Sequence, residues 1–322
     1  MLASSRTISL NGEVIERTPL LVPSFSSKGF PEVQEIIQFS AGIIDSAALV
    51  SAYDLSHGHI KAPFDFASIL FLDSGGYEAS QDTDLSEIAN AEYEPATWTS
   101  DLHNEVLREW QSISPVVCIS YDHPRERCDI SDQVARARAM PVPAGGMREI
   151  LLKPETREQR FLHVQNVLEN VRLLADFDII GVTEKEVGAS IADRMFNIAR
   201  IRMALSTIGL DIPIHVFGSL DTISTPLYFL AGADVFDGLT WLRFAYQDGL
   251  TIYKHNYGAQ KLGLLHKSHL IDGLCWANNY RYMRGMEQEM RRFLQTRDFR
   301  EFEFHGAMFE KACTNLAQRL GV

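Results

Sequence analysis

Short apolar runs recur along this chain at fairly even spacing, and most close on a polar residue or a glycine. They cover residues 20–25, 48–54, 67–73, 115–122, 148–154, 177–183, 212–218 and 233–238. Nearly continuous runs of this length, rich in Val, Ile, Leu and Phe, are the pattern of strands buried on both faces. Between them, Glu158 to Leu174, Ile191 to Ile208 and Leu220 to Leu230 repeat apolar residues at helical spacing. Eight buried strands alternating with helices predict an α/β fold with a parallel sheet. Eight is also the number that closes a TIM (β/α)8 barrel. A doubly wound open sheet is the alternative.

Two flanking segments differ. Residues 7–19 alternate apolar and polar around Asn11-Gly12, which predicts an N-terminal β-hairpin. Asn278 to Leu320 is amphipathic with a helical period, interrupted near Arg297 to His305. The expected division of a single domain is therefore a hairpin over 1–19, a barrel core over 20–250 and a helical C-terminal subdomain over 251–322. Residues 78–100 are polar and acidic and read as an insertion over the pocket. Residues 123–147 combine a helix with a Pro/Gly loop.

Composition narrows the class. The chain has 322 residues, enough for a barrel of about 250 residues with additions. Its formal charge is −12, which argues against nonspecific nucleic-acid binding by the whole surface. Arg281, Arg284, Arg291, Arg292, Arg297 and Arg300, however, crowd the C-terminal region and offer a local basic patch. The four cysteines are widely spaced without a C-x-x-C pair, so a reducing cytoplasm is the expected setting. Neither a signal peptide nor a membrane span is expected.

Asp73, Asp122 and Asp237 each close an apolar run. In a barrel the C-terminal ends of the strands build the active site, so three carboxylates there point to acid/base or nucleophilic work, or to a metal. Any one of them alone could equally cap a helix. Gly75-Gly76 and Gly145-Gly146 allow close backbone approach, but no phosphate-loop pattern is present. Tyr77 and Phe217, at strand ends, are placed to sandwich a flat ligand or to serve as ordinary core aromatics. His266, His269 and Cys275, with His305 further on, are the candidate metal ligands, in a looser spacing than structural zinc sites use.

The segment Asp73-Ser-Gly-Gly-Tyr77 resembles the D-S-G-G-[FY] motif of the queuine tRNA-ribosyltransferase (tRNA-guanine transglycosylase) family. Val216-Phe-Gly218 with Leu230-Ala-Gly-Ala-Asp-Val-Phe-Asp237 is similar to that family's M-G and A-L-G-x-D-x-F-D stretches. The Asn11-Gly12 hairpin with Thr18-Pro19 and Pro23, Leu49 to Leu55, and Ser120-Tyr-Asp122 follow in the family's order.

The resemblance implies a TIM barrel that replaces a guanine in a nucleic acid by a 7-deazaguanine such as preQ0. Asp237 would be the nucleophile and Asp73 the general acid/base. Asp122, Ser74, Gly218, Lys153 and the backbone of Gly181 and Val182 would hold the base, with Tyr77 and Phe217 on its faces. The chain also departs from the family. Leu239-Thr-Trp-Leu-Arg243 stands where the tRNA enzymes have P-T-R, which brings in Trp241 and Arg243 as nucleic-acid contacts. Lys153 stands in place of a Gln, and the C-x-C-x-x-C knuckle is missing.

These departures favour DNA over tRNA as the polymer. A queuine or preQ1 enzyme of tRNA is the alternative, as is a silent partner subunit of such an enzyme. At most one structural zinc and no organic cofactor are expected. The expected partners are the polymer, a free 7-deazaguanine, and a second copy or partner protein, without a membrane.

Overall fold

A computed structural model describes residues 2–80, 93–123 and 126–322. Most of the expected insertion at 78–100, and Pro124 of the 123–147 stretch, lie outside the described residues. All eight predicted strands form: β1 Leu20–Pro23, β2 Ala47–Ser51, β3 Ile69–Asp73, β4 Val116–Ile119, β5 Gly146–Leu152, β6 Ile179–Thr183, β7 Ile214–Phe217 and β8 Val235–Gly238. They make one parallel sheet in the order β1-β8-β7-β6-β5-β4-β3-β2. A bridge between Ser24 and Leu49 brings β1 against β2, and the Phe25 N–H donates to the Leu49 carbonyl at 3.0 Å. The result is a nearly closed TIM-type barrel.

Strand side chains alternate between two faces. One set (Leu20, Val22, Ala47, Leu49, Ile69, Phe71, Val117, Ile119, Met147, Ile179 and Val235) fills the barrel interior. The other (among them Leu70, Leu72, Cys118, Ile150, Ile180, Val182, Val216 and Phe236) packs under the helices. This double burial is why the strands read as unbroken apolar runs.

The hairpin forms as Thr7–Leu10 and Glu13–Arg17. Its turn residues Asn11 and Gly12 both have positive φ, as a two-residue hairpin turn requires. Ile8, Leu10 and Ile15 pack onto the inner cluster and cap the end of the barrel where the strands begin.

The helical segments depart from expectation in one place. Glu158 to Leu174 does not make one helix, because the Leu162 N–H is drawn to the Glu186 carbonyl. A short helix, Val164–Glu169, and a 3-10 segment, Val171–Asp176, follow instead. Ile191–Thr207 and Ser224–Leu230 are helical. Beyond β8 come a small hairpin (Phe244–Gln247 with Leu250–Tyr253) and the helices Lys254–Leu262, Ser268–Thr296 and Gly306–Leu320. The break near Arg297 is a left-handed turn at that residue. The long helix sends Tyr280, Met283, Met286, Met290 and Phe293 into the main core. Among the described residues no helix is long and apolar enough to cross a membrane.

Candidate active site

The C-terminal ends of the strands surround a cavity of about 1000 Å³. Its lining includes Asp73, Ser74, Tyr77, Asp122, Lys153, Phe217, Gly218, Asp237 and Arg243, so most of the residues singled out in the sequence meet here. The period of two explains the convergence. Asp73, Lys153, Phe217 and Asp237 share the inward parity of the apolar residues below them.

Asp237 is 6% exposed. Its Oδ2 accepts from Ser24 Oγ at 2.7 Å and its Oδ1 from the Gly218 N–H at 3.0 Å. Gly218 takes a positive φ of 77°, which turns that N–H toward the carboxylate. On the same oxygen's far side, His215 Nε2 lies 3.3 Å away. The other ring nitrogen, Nδ1, is 2.9 Å from Glu149 Oε1. Both His215 and Glu149 are fully buried inside the barrel. Burial works against a charged imidazole, but the Glu149 and Asp237 carboxylates outweigh it and push His215 up to about 9. Phe217 stacks on the His215 ring at 3.9 Å between centroids and separates it from the cavity.

Asp73 stands in a different setting. Desolvation, the buried Glu78 and, more weakly, Asp237 raise it to about 8. Only the Gly75 N–H, donating to Oδ2 at 3.1 Å, and the Ser74 backbone favour its ionised form. Glu78 is itself raised to about 7 by burial and by Asp54, although Ser26 and Ser51 donate hydroxyls to it. Asp54, held by the Ser27 N–H and hydroxyl, is raised to about 6, again chiefly by burial. Among the described residues no ion pair to Asp73 is recorded, and the three neighbouring acids keep a proton among them at neutral pH.

The two glycines of Asp73-Ser-Gly-Gly-Tyr77 are required by packing. Gly75 has φ +78°, and a Cβ there would lie 2.6 Å from Tyr53 Cβ and 3.0 Å from Trp98 Nε1. At Gly76 a Cβ would meet Asp122 Oδ2 at 2.9 Å. Glycine thus lets the loop pass between Trp98, which donates to the Ser74 carbonyl, and Asp122.

Asp122 belongs to a network of alternating charge. Lys153 Nζ is 3.0 Å from its Oδ2 and Arg127 Nη1 is 3.0 Å from its Oδ1; Lys153 also reaches Glu186 at 2.6 Å. Burial alone would raise Asp122, but Lys153 and Arg127 together hold it below the usual carboxylate value. Lys153 is raised despite burial, because Asp122 and Glu186 both face it. A carboxylate and an ammonium side by side offer an acceptor and a donor to one edge of a ligand. On another wall, Arg243 donates to the Tyr77 hydroxyl at 2.6 Å, and Lys28 sits over the Tyr77 ring.

Several expected site residues are placed elsewhere. Gly181 and Val182 lie within β6, in register with Leu151 and Leu152 on one side and His215 and Val216 on the other. Val182 faces the outer helices, and the lining begins at Thr183. Gly181 has a packing role: a Cβ there would come within 2.6 Å of Phe217 Cε2 and 2.7 Å of Glu149 Oε1. Trp241 is fully buried, donates to the Ser24 carbonyl at 3.0 Å and meets Phe25 edge-on, so it has no face left for a nucleotide.

The candidate metal ligands do not come together. Cys275 is buried among Ala245, Tyr257 and Ile271, and His305 Nε2 is 2.9 Å from the Gly249 carbonyl. His266 and His269 are exposed at the start of the long helix. Among the described residues no group of three or more His, Cys, Asp or Glu is placed to hold a metal ion. The C-terminal arginines are largely balanced too: Arg284 and Arg291 lie against Glu287, Arg292 against Glu301 and Arg300 against Asp298.

No protein-family model matches the sequence, and a search of curated proteins returns no match. The reading of the site therefore rests on its geometry and on the short motifs. Sequence reasoning passed over Asp54, Glu78, Glu149 and His215. The signal for the last two was a polar residue inside an apolar run, at the same inward parity as the strand-end residues Lys153 and Phe217.

Proposed function

We propose that the chain is a guanine transglycosylase of the queuine tRNA-ribosyltransferase type, a pentosyltransferase that exchanges a guanine in a nucleic acid for a 7-deazaguanine. The observation that carries this reading is the opposed setting of two carboxyl groups on one cavity. Asp73 is held toward its protonated form by neighbouring acids. Asp237 is ringed by Ser24 Oγ, the Gly218 N–H and the His215 ring. These different surroundings support an acid role for Asp73 and a nucleophile role for Asp237.

The steps follow from those roles. The target nucleotide leaves its stack and its base enters the cavity between Tyr77 and Phe217. Asp122 accepts from the N–H edge of the base, and Lys153 donates to the neighbouring carbonyl oxygen. An Asp237 oxygen attacks the sugar C1′ and forms a C1′–O bond while the C1′–N9 bond breaks. The electron pair goes to the guanine, which takes the proton of Asp73 and leaves neutral. The incoming 7-deazaguanine then gives its ring N–H proton to the Asp73 carboxylate. Its nitrogen attacks C1′ and releases Asp237, so that one base replaces another with no net change of protons.

The test is incorporation of labelled guanine into DNA and into tRNA by the wild-type chain and by Asp237→Ala. Wild-type exchange in one polymer, lost by at least about 1000-fold in the folded variant, is the expected result. Full turnover in Asp237→Ala removes that residue from the role, and an inert wild type removes the function.

A further inference from the structure

Glu149 and His215 are not part of the cavity lining, yet they form a fully buried ion pair just beneath it. Three elements meet around the imidazole. Glu149 comes from β5, at 2.9 Å from Nδ1, and Asp237 comes from β8, at 3.3 Å from Nε2. Asp73, from β3, lies beyond Asp237 and is close enough to feel its charge. The Phe71 ring approaches edge-on at 5.5 Å and Phe217 covers the opposite side. A cation in this place is hemmed in by acids on both nitrogens and shielded from water by two aromatic rings.

The arrangement has a directional consequence. Nε2 is near Asp237 Oδ1, the oxygen that also receives the Gly218 N–H, while Oδ2 is taken by Ser24. The imidazole thus lies within ion-pair distance of the carboxylate from inside the barrel, and Glu149 holds the imidazole at its other nitrogen. Gly181 is what lets Glu149 and Phe217 approach so closely.

We infer that His215, anchored by Glu149, is a buried imidazolium that positions the carboxylate of Asp237 for attack, a positioning residue for the exchange reaction rather than a group that meets the substrate. This role rests on the transglycosylase reading, while the charge state of His215 does not. The high value to which the two carboxylates push His215 agrees with the geometry.

Two measurements on the full-length protein test it. The first is the imidazole nitrogen NMR signature of His215, assigned by its loss in His215→Gln. An imidazolium that persists from about pH 7 up to about pH 9 is expected; a neutral ring at pH 7 overturns the inference whatever the activity. The second is the rate of covalent intermediate formation in His215→Gln and Glu149→Gln. A fall of about 100-fold is expected, with free-guanine affinity held within about threefold and with Glu149→Asp retaining more of the rate than Glu149→Gln. Equal loss of affinity and rate, or wild-type rates in both variants, overturns it. If His215→Gln does not fold, the resonance is assigned by its shift in Glu149→Gln, and that variant and the wild-type titration still decide. An inert wild type sinks the function, and the titration alone then judges the imidazolium.

Discussion

Asp73 and Glu78 are five residues apart in sequence and share one buried field. The proposed exchange needs Asp73 protonated when guanine leaves, so the rate should hold through neutrality and fall as pH rises past about 8. Glu78→Gln removes the stronger of the two charges that raise Asp73. The basic limb of the pH–rate profile should then move down by about one unit. An unmoved limb in a folded Glu78→Gln variant assigns that ionisation elsewhere. The same acids set a stability trend. Their native values are raised, so their contribution is fully present below the ordinary carboxylate range. It is lost as pH rises through about 6 to about 8. Melting temperature should drop across that window, and Glu78→Gln should flatten the drop in calorimetry. Strand-end position made Asp73, Asp122 and Asp237 visible in the sequence. Glu78 stayed hidden because it opens a polar stretch, and only the fold shows that it turns inward to Ser26 and Ser51.

At the scale of elements, the strands were legible because burial on both faces leaves an uninterrupted apolar run. The helix expected from Glu158 was not, since a tertiary hydrogen bond to the Glu186 carbonyl took the Leu162 N–H. Side-chain direction was equally hard to read. Lys153 and Phe217 fall on the inward parity and reach the cavity, whereas Val182 falls on the outward one. Gly181 was read as a contact for the base and serves as a spacer between β5 and β7. Gly181→Ala should therefore destabilise the protein by about 1–3 kcal/mol, the usual cost of overpacking a filled core, in denaturant unfolding. It should also slow exchange, because the added methyl displaces Phe217 or Glu149. A variant as stable and active as the wild type would show that the barrel relaxes around Gly181 without loss.

At the scale of the whole molecule, the proposed function requires a chain of charge −12 to meet a polyanion through a restricted surface. The arginines of the C-terminal region looked like that surface in the sequence, but four of the six, Arg284, Arg291, Arg292 and Arg300, lie against nearby acids. Trp241 is in the core. From the segment after Asp237, Leu239, Thr240 and Arg243 reach the cavity wall, and the guanidinium of Arg243 is joined there by Lys185 and Arg127. A guanidinium at the mouth suits a phosphate flanking a flipped nucleotide, and each such contact makes binding depend on salt. Affinity for the right polymer should fall steeply from low to moderate salt. Arg243→Ala should reduce the slope of log affinity against log salt by about one while leaving free-base binding nearly unchanged. A parallel loss of free-base affinity would instead mean that Arg243 acts through the Tyr77 hydroxyl it holds. The altered Leu239-Thr-Trp-Leu-Arg243 segment, in place of the P-T-R of the tRNA enzymes, underlies the expectation that exchange in DNA exceeds exchange in tRNA. Side-by-side assays at matched salt decide it. Efficient modification of tRNA with DNA untouched reverses the preference and leaves a tRNA enzyme with an unusual polymer contact.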